Sequence, residues 1–291
     1  MKSAYSKISP TAVFCARMRA KQNMLFARDI CELIDTKYSY LIEDIPDYGE
    51  TLTSKGDFIP FIEGRYYSLN NALSKIDNAF IVELASGLSP RSLSFLSKKN
   101  VIYFETELKG LIKIKKKILK EIIIKKDLKS KNLFFMSVNP LNKKEMDELG
   151  KIYKKKGINK KLVIIHEGLL MYLDKKEKTT FLKNIKYLFE NYAKDGLWLT
   201  PDFSRIKNKE NEPKGKENIR DKISKITGRE FDYFESIKET KNFLKKEGFN
   251  SEILPNEKIV DKLIEKKSLQ SNRKSILSSS EGYKVWKIKL S

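Results

Sequence analysis

Apolar residues along this chain recur with two different periods, and the switches between them divide it into elements. From residue 80 onward, short runs of β-branched and aromatic residues read as buried strands. They are F-I-V-E-L-A at 80–85, V-I-Y-F-E at 101–105, L-F-F-M-S-V at 133–138, L-V-I-I-H at 162–166 and G-L-W-L-T at 196–200. Between these runs the spacing turns helical. Pro90 fits the first turn of a helix over about 90–98. Leu108, Leu111, Ile112, Ile118 and Leu119 form an inward stripe on a helix from Leu108 to about Lys120, with its lysines outward. A further helix covers about 143–156. Asp174 and Glu177 form a D-x-x-E capping box ahead of the stripe Phe181, Ile185, Leu188 and Tyr192.

The flanking segments have other patterns. In Thr11 to Ile34 the apolar positions suit two helical pieces with a break near Gln22 and Asn23. Tyr38 to Gly56, with Pro46 and Gly49, reads as loop. Residues 204–229 are polar and carry Pro213, Gly215 and Gly228, the composition of an insertion or lid. Ser236 and Glu239 form a second capping box, on a helix that stops at Gly248. Stretches 249–254 and 282–290 read as two last strands, the second suited to antiparallel pairing. This alternation predicts an α/β class: a Rossmann-like seven-stranded, mostly parallel sheet with helices on both faces. Residues 1–78 would form an N-terminal helical cap and 79–291 the core, packed as one compact unit.

Composition narrows the chemistry. The chain has 291 residues, of which 40% are hydrophobic, so it can bury a large core. Cys15 and Cys31 are too few for a disulfide framework or a cysteine metal cluster, and His166, the one histidine, excludes a multi-histidine metal site. The N-terminus lacks the apolar core of a signal peptide and no run approaches a membrane span, so a cytoplasmic location is expected. The formal net charge is +21, from 59 Lys and Arg against 38 Asp and Glu. Such an excess admits a nucleic-acid partner. The lysines are dispersed over helix faces without interleaved aromatics, however, so the plainer reading, a solvated basic surface, is preferred.

The stretch with chemistry is Phe80 to Ser92. A strand runs into the small-residue turn Ala85, Ser86, Gly87, which lets backbone approach a ligand closely. A three-glycine dinucleotide fingerprint is absent. Instead, Glu83-x-Ala85-x-Gly87 is a variant of the E/D-x-G-x-G loop.

Five segments together resemble one family. They are T-A-x-x-x-A-x-x-R-A at 11–20, F-I-E-G-R-Y-Y at 61–67, E-L-A-S-G-L-S-P-R at 83–91, Y-F-E-T-E-L at 103–108 and H-E-G-L-L-M-Y-L at 166–173. In this order and spacing the chain is similar to the leucine carboxyl methyltransferase-like branch of class I S-adenosylmethionine-dependent methyltransferases, which includes polyketide O-methyltransferases of the tetracenomycin type. The resemblance implies a cofactor, S-adenosylmethionine, and methyl transfer to a carboxylate or hydroxyl of a small molecule or protein. A tRNA-modifying enzyme and a catalytically silent cofactor-binding protein are the alternatives. Among the residues, Arg65 would meet the methionine carboxylate of the cofactor, while Glu83, Ala85 and Gly87 would form the turn under it. Ala85 stands where many members have glycine, and its methyl asks for φ < 0. Glu107 would take the ribose hydroxyls, with Glu105 as competitor. Asn139 stands where an aspartate often meets the adenine amine. Glu167 would lie beside the cofactor's positive end, and Arg19 or Arg17 would close over the site from the cap. His166, Met171 and Tyr172 are read as packing residues, and no catalytic base is named.

Overall fold

The computed structural model describes residues 9–41, 58–203, 224–225, 227–230, 232, 234–265, 273, 276–277 and 280–291. The expected loop is therefore seen only over 38–41, and most of the 204–229 insertion lies outside the described residues.

Two helices, α1 (Ser9–Lys21) and α2 (Ala27–Lys37), are separated by a sharp corner in which Asn23 and Phe26 take positive φ. Helix α3 (Phe58–Ser74) follows, and then the sheet begins: β1 (Ala79–Glu83), β2 (Val101–Glu107), α4 (Lys109–Lys125), β3 (Leu133–Ser137), α5 (Lys143–Lys156), β4 (Lys161–Ile165), α6 (Lys175–Tyr192) and β5 (Leu197–Thr200). The chain ends with α7 (Ile237–Lys246), β6 (Phe249–Ile253), α8 (Glu257–Glu265) and β7 (Trp286–Leu290). The strands form one sheet in the order β3-β2-β1-β4-β5-β7-β6. Only the pairings made by β7 are antiparallel. The strand order reverses at β1, whose neighbours are β2 and β4, and a sheet of this kind opens a crevice at the carboxyl ends beside that reversal.

Alternation along the strands sorts the two faces. Ala79 and Ile81 pack with α1, α2, α3 and α4, while Phe80, Val82 and Leu84 pack with α5 and α6. By the same period, Glu83, Tyr103, Glu105 and Glu107 fall on the α1–α4 side. Gly64 brings α3 against the C-terminal segment: a Cβ there would sit 2.4 Å from the Tyr283 ring. This contact seats the turn of α3 that carries Arg65.

Several boundaries differ from the sequence reading. No α-helix follows β1; the chain makes only a short 3-10 turn, Arg91–Phe95, with Pro90 before it. The serine-rich S-P-R-S-L-S sequence has weak helix propensity, and the turn swings the Arg91 side chain into the interior. The lysines of α4 are not all outward: Lys115 is fully buried, because Glu105 lies beneath it. The Asp174–Glu177 capping box forms in full. At Ser236 only half of it does: Ser236 accepts from the Glu239 N–H, while the Glu239 carboxylate accepts from Glu235 instead. Helix α8 lies in a stretch for which no element was expected, and β7 begins at Trp286 rather than near 282.

Candidate functional site

Along the carboxyl edge of the sheet, Ala85, Gly87, Glu107, Asn139, Glu167 and Gly168 are partly buried, each at the end of a strand or in the turn beyond it. The turn after β1 holds two residues in the left-handed region, Ala85 (φ 49°) and Gly87 (φ 51°). The expectation that alanine would need a negative φ is overturned. The turn keeps a glycine's conformation, and surrounding bonds hold the alanine in it: the Ser86 N–H donates to the Thr106 carbonyl at 2.9 Å, and Lys115 Nζ donates to the Ser86 carbonyl at 3.2 Å. Above the turn lies α1: a Cβ on Gly87 would come within 3.4 Å of Ala12 Cβ.

Glu105 and Glu107 separate by depth. Glu105 pairs in register with Glu83 of β1, so two carboxylates sit side by side inside the sheet. Each has its own cation. Lys115 Nζ lies 2.5 Å from Glu105, with neither side chain reached by solvent. Arg91 and the Tyr103 hydroxyl, at 2.7 Å, serve Glu83. Glu107, two residues further, reaches the edge. Its Oε2 accepts from the Gly87 N–H at 3.0 Å and its Oε1 from the Leu108 N–H at 2.7 Å. Each oxygen keeps a second acceptor direction. Burial pushes the Glu107 carboxyl above its ordinary value, and the two N–H groups act against that rise.

Three arginines from three elements meet three acids at the other side of the turn. Arg91 is fully buried. It donates to Asn70 Oδ1 (2.7 Å), Glu83 Oε1 (2.5 Å) and Glu167 Oε2 (2.5 Å), with its guanidinium 4.6 Å from the Tyr66 ring centroid. Arg19 of α1 lies 3.3 Å from Glu167 Oε1, and its Nε has no hydrogen-bond partner among the described residues. Arg65 is buried over the Phe61 ring and bonds Asp202, just beyond β5. Burial acts to raise the Glu167 pKa, but Arg19, Arg91 and Arg65 reverse it and hold the carboxyl below its ordinary value.

Asp202 anchors the loop after β4. It accepts from the N–H groups of Gly168 (2.7 Å), Leu169 (2.8 Å) and Leu170 (2.9 Å), and from His166 Nδ1 at 2.9 Å. Burial works against its charge, yet His166, Arg65 and the Gly168 N–H leave it well below the ordinary carboxylate range. Trp198 donates to His166 Nε2 at 3.0 Å, which makes Nε2 the acceptor and Nδ1 the protonated nitrogen. With both ring nitrogens committed, His166 is a structural tie between β4 and β5.

The expected site residues thus divide by what they touch. Ala85, Gly87 and Glu107 share the first turn, while Arg19, Arg65 and Glu167 lie in one ionic network behind it. Glu83 lies deeper, bound by Arg91 and Tyr103. Asn139 stands at the end of β3, where its side-chain carbonyl already accepts from the Leu141 N–H at 3.0 Å. Arg17 is outside the site, paired with Asp35 on an exposed surface at 2.9 Å. The sequence reading gave no role to Arg91 or Asp202. Arg91 stood in a quoted motif, but an isolated arginine carries no local mark of burial. Asp202 follows a strand, as Glu107 and Glu167 do, and that shared placement was the available signal. Among the described residues no cluster of potential ligands could hold a metal ion.

The family model of leucine carboxyl methyltransferase matches residues 61–186, from the α3 segment that carries Arg65 to the middle of α6. Over that stretch, less than half of its length, the chain is similar to the leucine carboxyl methyltransferase family. None of the curated proteins matches it. Among solved structures, an O-methyltransferase family protein from Burkholderia thailandensis is 12% identical, with 92% of this chain and 72% of that one covered, at a TM-score of 0.48. A structure of PigF with SAH is 10% identical, with 92% of this chain and 74% of that one covered, at a TM-score of 0.46.

Proposed function

We propose that the protein is an S-adenosylmethionine-dependent O-methyltransferase whose cofactor lies along the carboxyl edge of β1, β2 and β4. The observation that carries this reading is Glu107. Its carboxylate is pinned by the Gly87 and Leu108 N–H groups and keeps one acceptor direction on each oxygen, the arrangement required to receive two vicinal ribose hydroxyls. The positive-φ turn beside it offers a close backbone approach without a phosphate-binding helix N-terminus, which suits a cofactor that has no phosphates. Behind the turn the three arginines and the three acids cancel in charge. A zwitterionic methionine end fits such a place: Arg65 and Arg19 would hold its carboxylate and Glu167 its ammonium. The unpartnered Arg19 Nε is a donor already in position.

When bound, the cofactor supplies an electrophilic methyl on a sulfonium sulfur. The chain's residues orient it and exclude water. Methyl transfer to an acceptor oxygen is the chemistry that this group would supply. His166 has both nitrogens committed and takes no proton in this step. The site therefore favours an acceptor ionised without assistance, a carboxylate ahead of a neutral hydroxyl. The turn preserved at Ala85 supports cofactor binding in an enzyme and in a silent binding protein alike, so turnover decides between them. The charge of +21 keeps a tRNA acceptor as the second reading.

A screen with methyl-labelled cofactor over small carboxylic acids, carboxyl-terminal peptides, phenols and tRNA tests both. Label transfer to a carboxylate or phenol is the expected result. Transfer to tRNA alone would establish the second reading, and cofactor binding without transfer to any class would revive the silent protein.

A further inference from the structure

We propose that Arg91 is a positioning residue: it fixes the direction of the Glu167 carboxylate at the edge where the cofactor's positive end sits. The proposal rests on the cofactor reading above. Arg91 is sealed from solvent and cannot touch a ligand. It reaches the site only through its partners. Its Nε–H is anchored on Asn70 of α3, its Nη1 on Glu83 of β1 and its Nη2 on Glu167 beyond β4. The guanidinium plane lies against Tyr66, also of α3. One planar fork thus joins three elements at the place where the strand order reverses.

The geometry gives Arg91 a task that lysine cannot perform. A single ammonium can sit on Glu83 or on Glu167, but the separation of those carboxylates asks for two diverging N–H groups held rigidly in one plane. Glu167 has no comparable second support. Arg19 approaches its other oxygen at 3.3 Å, and comes from α1, which covers the turn. The charged or titratable groups facing Glu167 are Arg91, Arg19 and Cys15 of α1, and Arg65 of α3, with Glu83 behind Arg91. Cys15 has its own pKa raised by burial and adds no positive charge. Arg91 is the one cation among them with no solvent exposure at all, and it is held by α3 and β1 rather than by α1.

The test is made on ligand-free full chain and on its complex with S-adenosylhomocysteine. Carbon-13 NMR of labelled glutamate side chains follows the Glu167 carboxyl, identified by the signal missing from Glu167→Gln. In wild type that signal should titrate below the ordinary glutamate range. In Arg91→Lys it should move up by about one pH unit or more. S-adenosylhomocysteine should bind the variant about tenfold or more weakly at neutral pH, with the acid limb of binding displaced upward in the same direction. Asn70→Ala loosens the anchor without removing the cation, and should move both readouts the same way by less. An unchanged Glu167 titration in both variants would overturn the proposal, and so would an affinity loss equal at every pH, the result of a merely structural role. If wild type binds no S-adenosylhomocysteine, the cofactor reading fails, and the Glu167 titration alone still decides whether Arg91 holds that carboxylate.

Discussion

Ala85 and Gly87 share a backbone conformation, but the substitutions open to them are opposite. A non-glycine residue in the left-handed region carries strain, so Ala85→Gly should stabilise the protein by about 0.5–1 kcal/mol after the extra freedom of glycine in the unfolded chain is deducted. Urea denaturation measures this, and a loss of stability would show that the Ala85 methyl packs more than it strains. Gly87→Val should cost about 1–2 kcal/mol and abolish cofactor binding, because it adds the same strain and crowds Ala12 of α1. A variant with wild-type affinity would remove the turn from the site. Arg65 belongs to the same scale. Its partner here is Asp202, so it sits in the site already paired. Arg65→Lys should bind cofactor nearly as poorly as Arg65→Ala, since a point charge cannot hold Asp202 and a second carboxylate together. Full rescue by lysine, measured by calorimetry, would show that only the charge matters.

At the scale of elements, α4 is tied to the turn by its one buried lysine. Lys115→Met would leave Glu105 without its cation inside the sheet, where burial drives the carboxyl toward its neutral form, at a cost of about 3–5 kcal/mol. Adding Glu105→Gln to that variant should recover much of the loss, and a double variant no more stable than the single would refute the pairing. The elements also show what was legible in the sequence. The strands were readable because buried parallel strands are continuous apolar runs, and the Asp174 cap because its two partners are three residues apart. The helix expected after β1 was not formed, since Pro90 permits a helix start without requiring one. Lys115 escaped notice because local sequence marks it as one more lysine on a basic helix. Its burial depends on Glu105, which reaches it through β2. Glu105 and Glu107 stayed unresolved for a related reason: strand period puts both on one face, and only the strand's end decides which reaches the edge. Arg91 and Asp202 act across distant segments, so no local spacing announced them.

For the whole molecule, the ionised groups of the site make stability depend on pH. Asp202 and Glu167 lie below their ordinary values in the fold. Each contributes stability that is complete above the unfolded-chain value and is lost as pH falls through the lower folded one. Glu105 and Glu107 are raised chiefly by burial, and their contribution runs the other way, fading as pH rises through their folded values. Urea midpoints from about pH 8 to about pH 3 should therefore hold or rise slightly into mild acid and then collapse below the ordinary carboxylate range. Asp202→Asn should be less stable at neutral pH and lose part of that collapse. An acid limb of the same steepness in the variant would place the linkage elsewhere. The most direct measurement of the whole reading is calorimetric titration of S-adenosylhomocysteine into wild type, Glu107→Ala and Glu105→Gln. Saturable binding by wild type is expected, weakened by about 1.5–3 kcal/mol in Glu107→Ala and nearly unchanged in folded Glu105→Gln. No binding by wild type at millimolar ligand, or full affinity in Glu107→Ala, would contradict a cofactor site at this edge of the sheet.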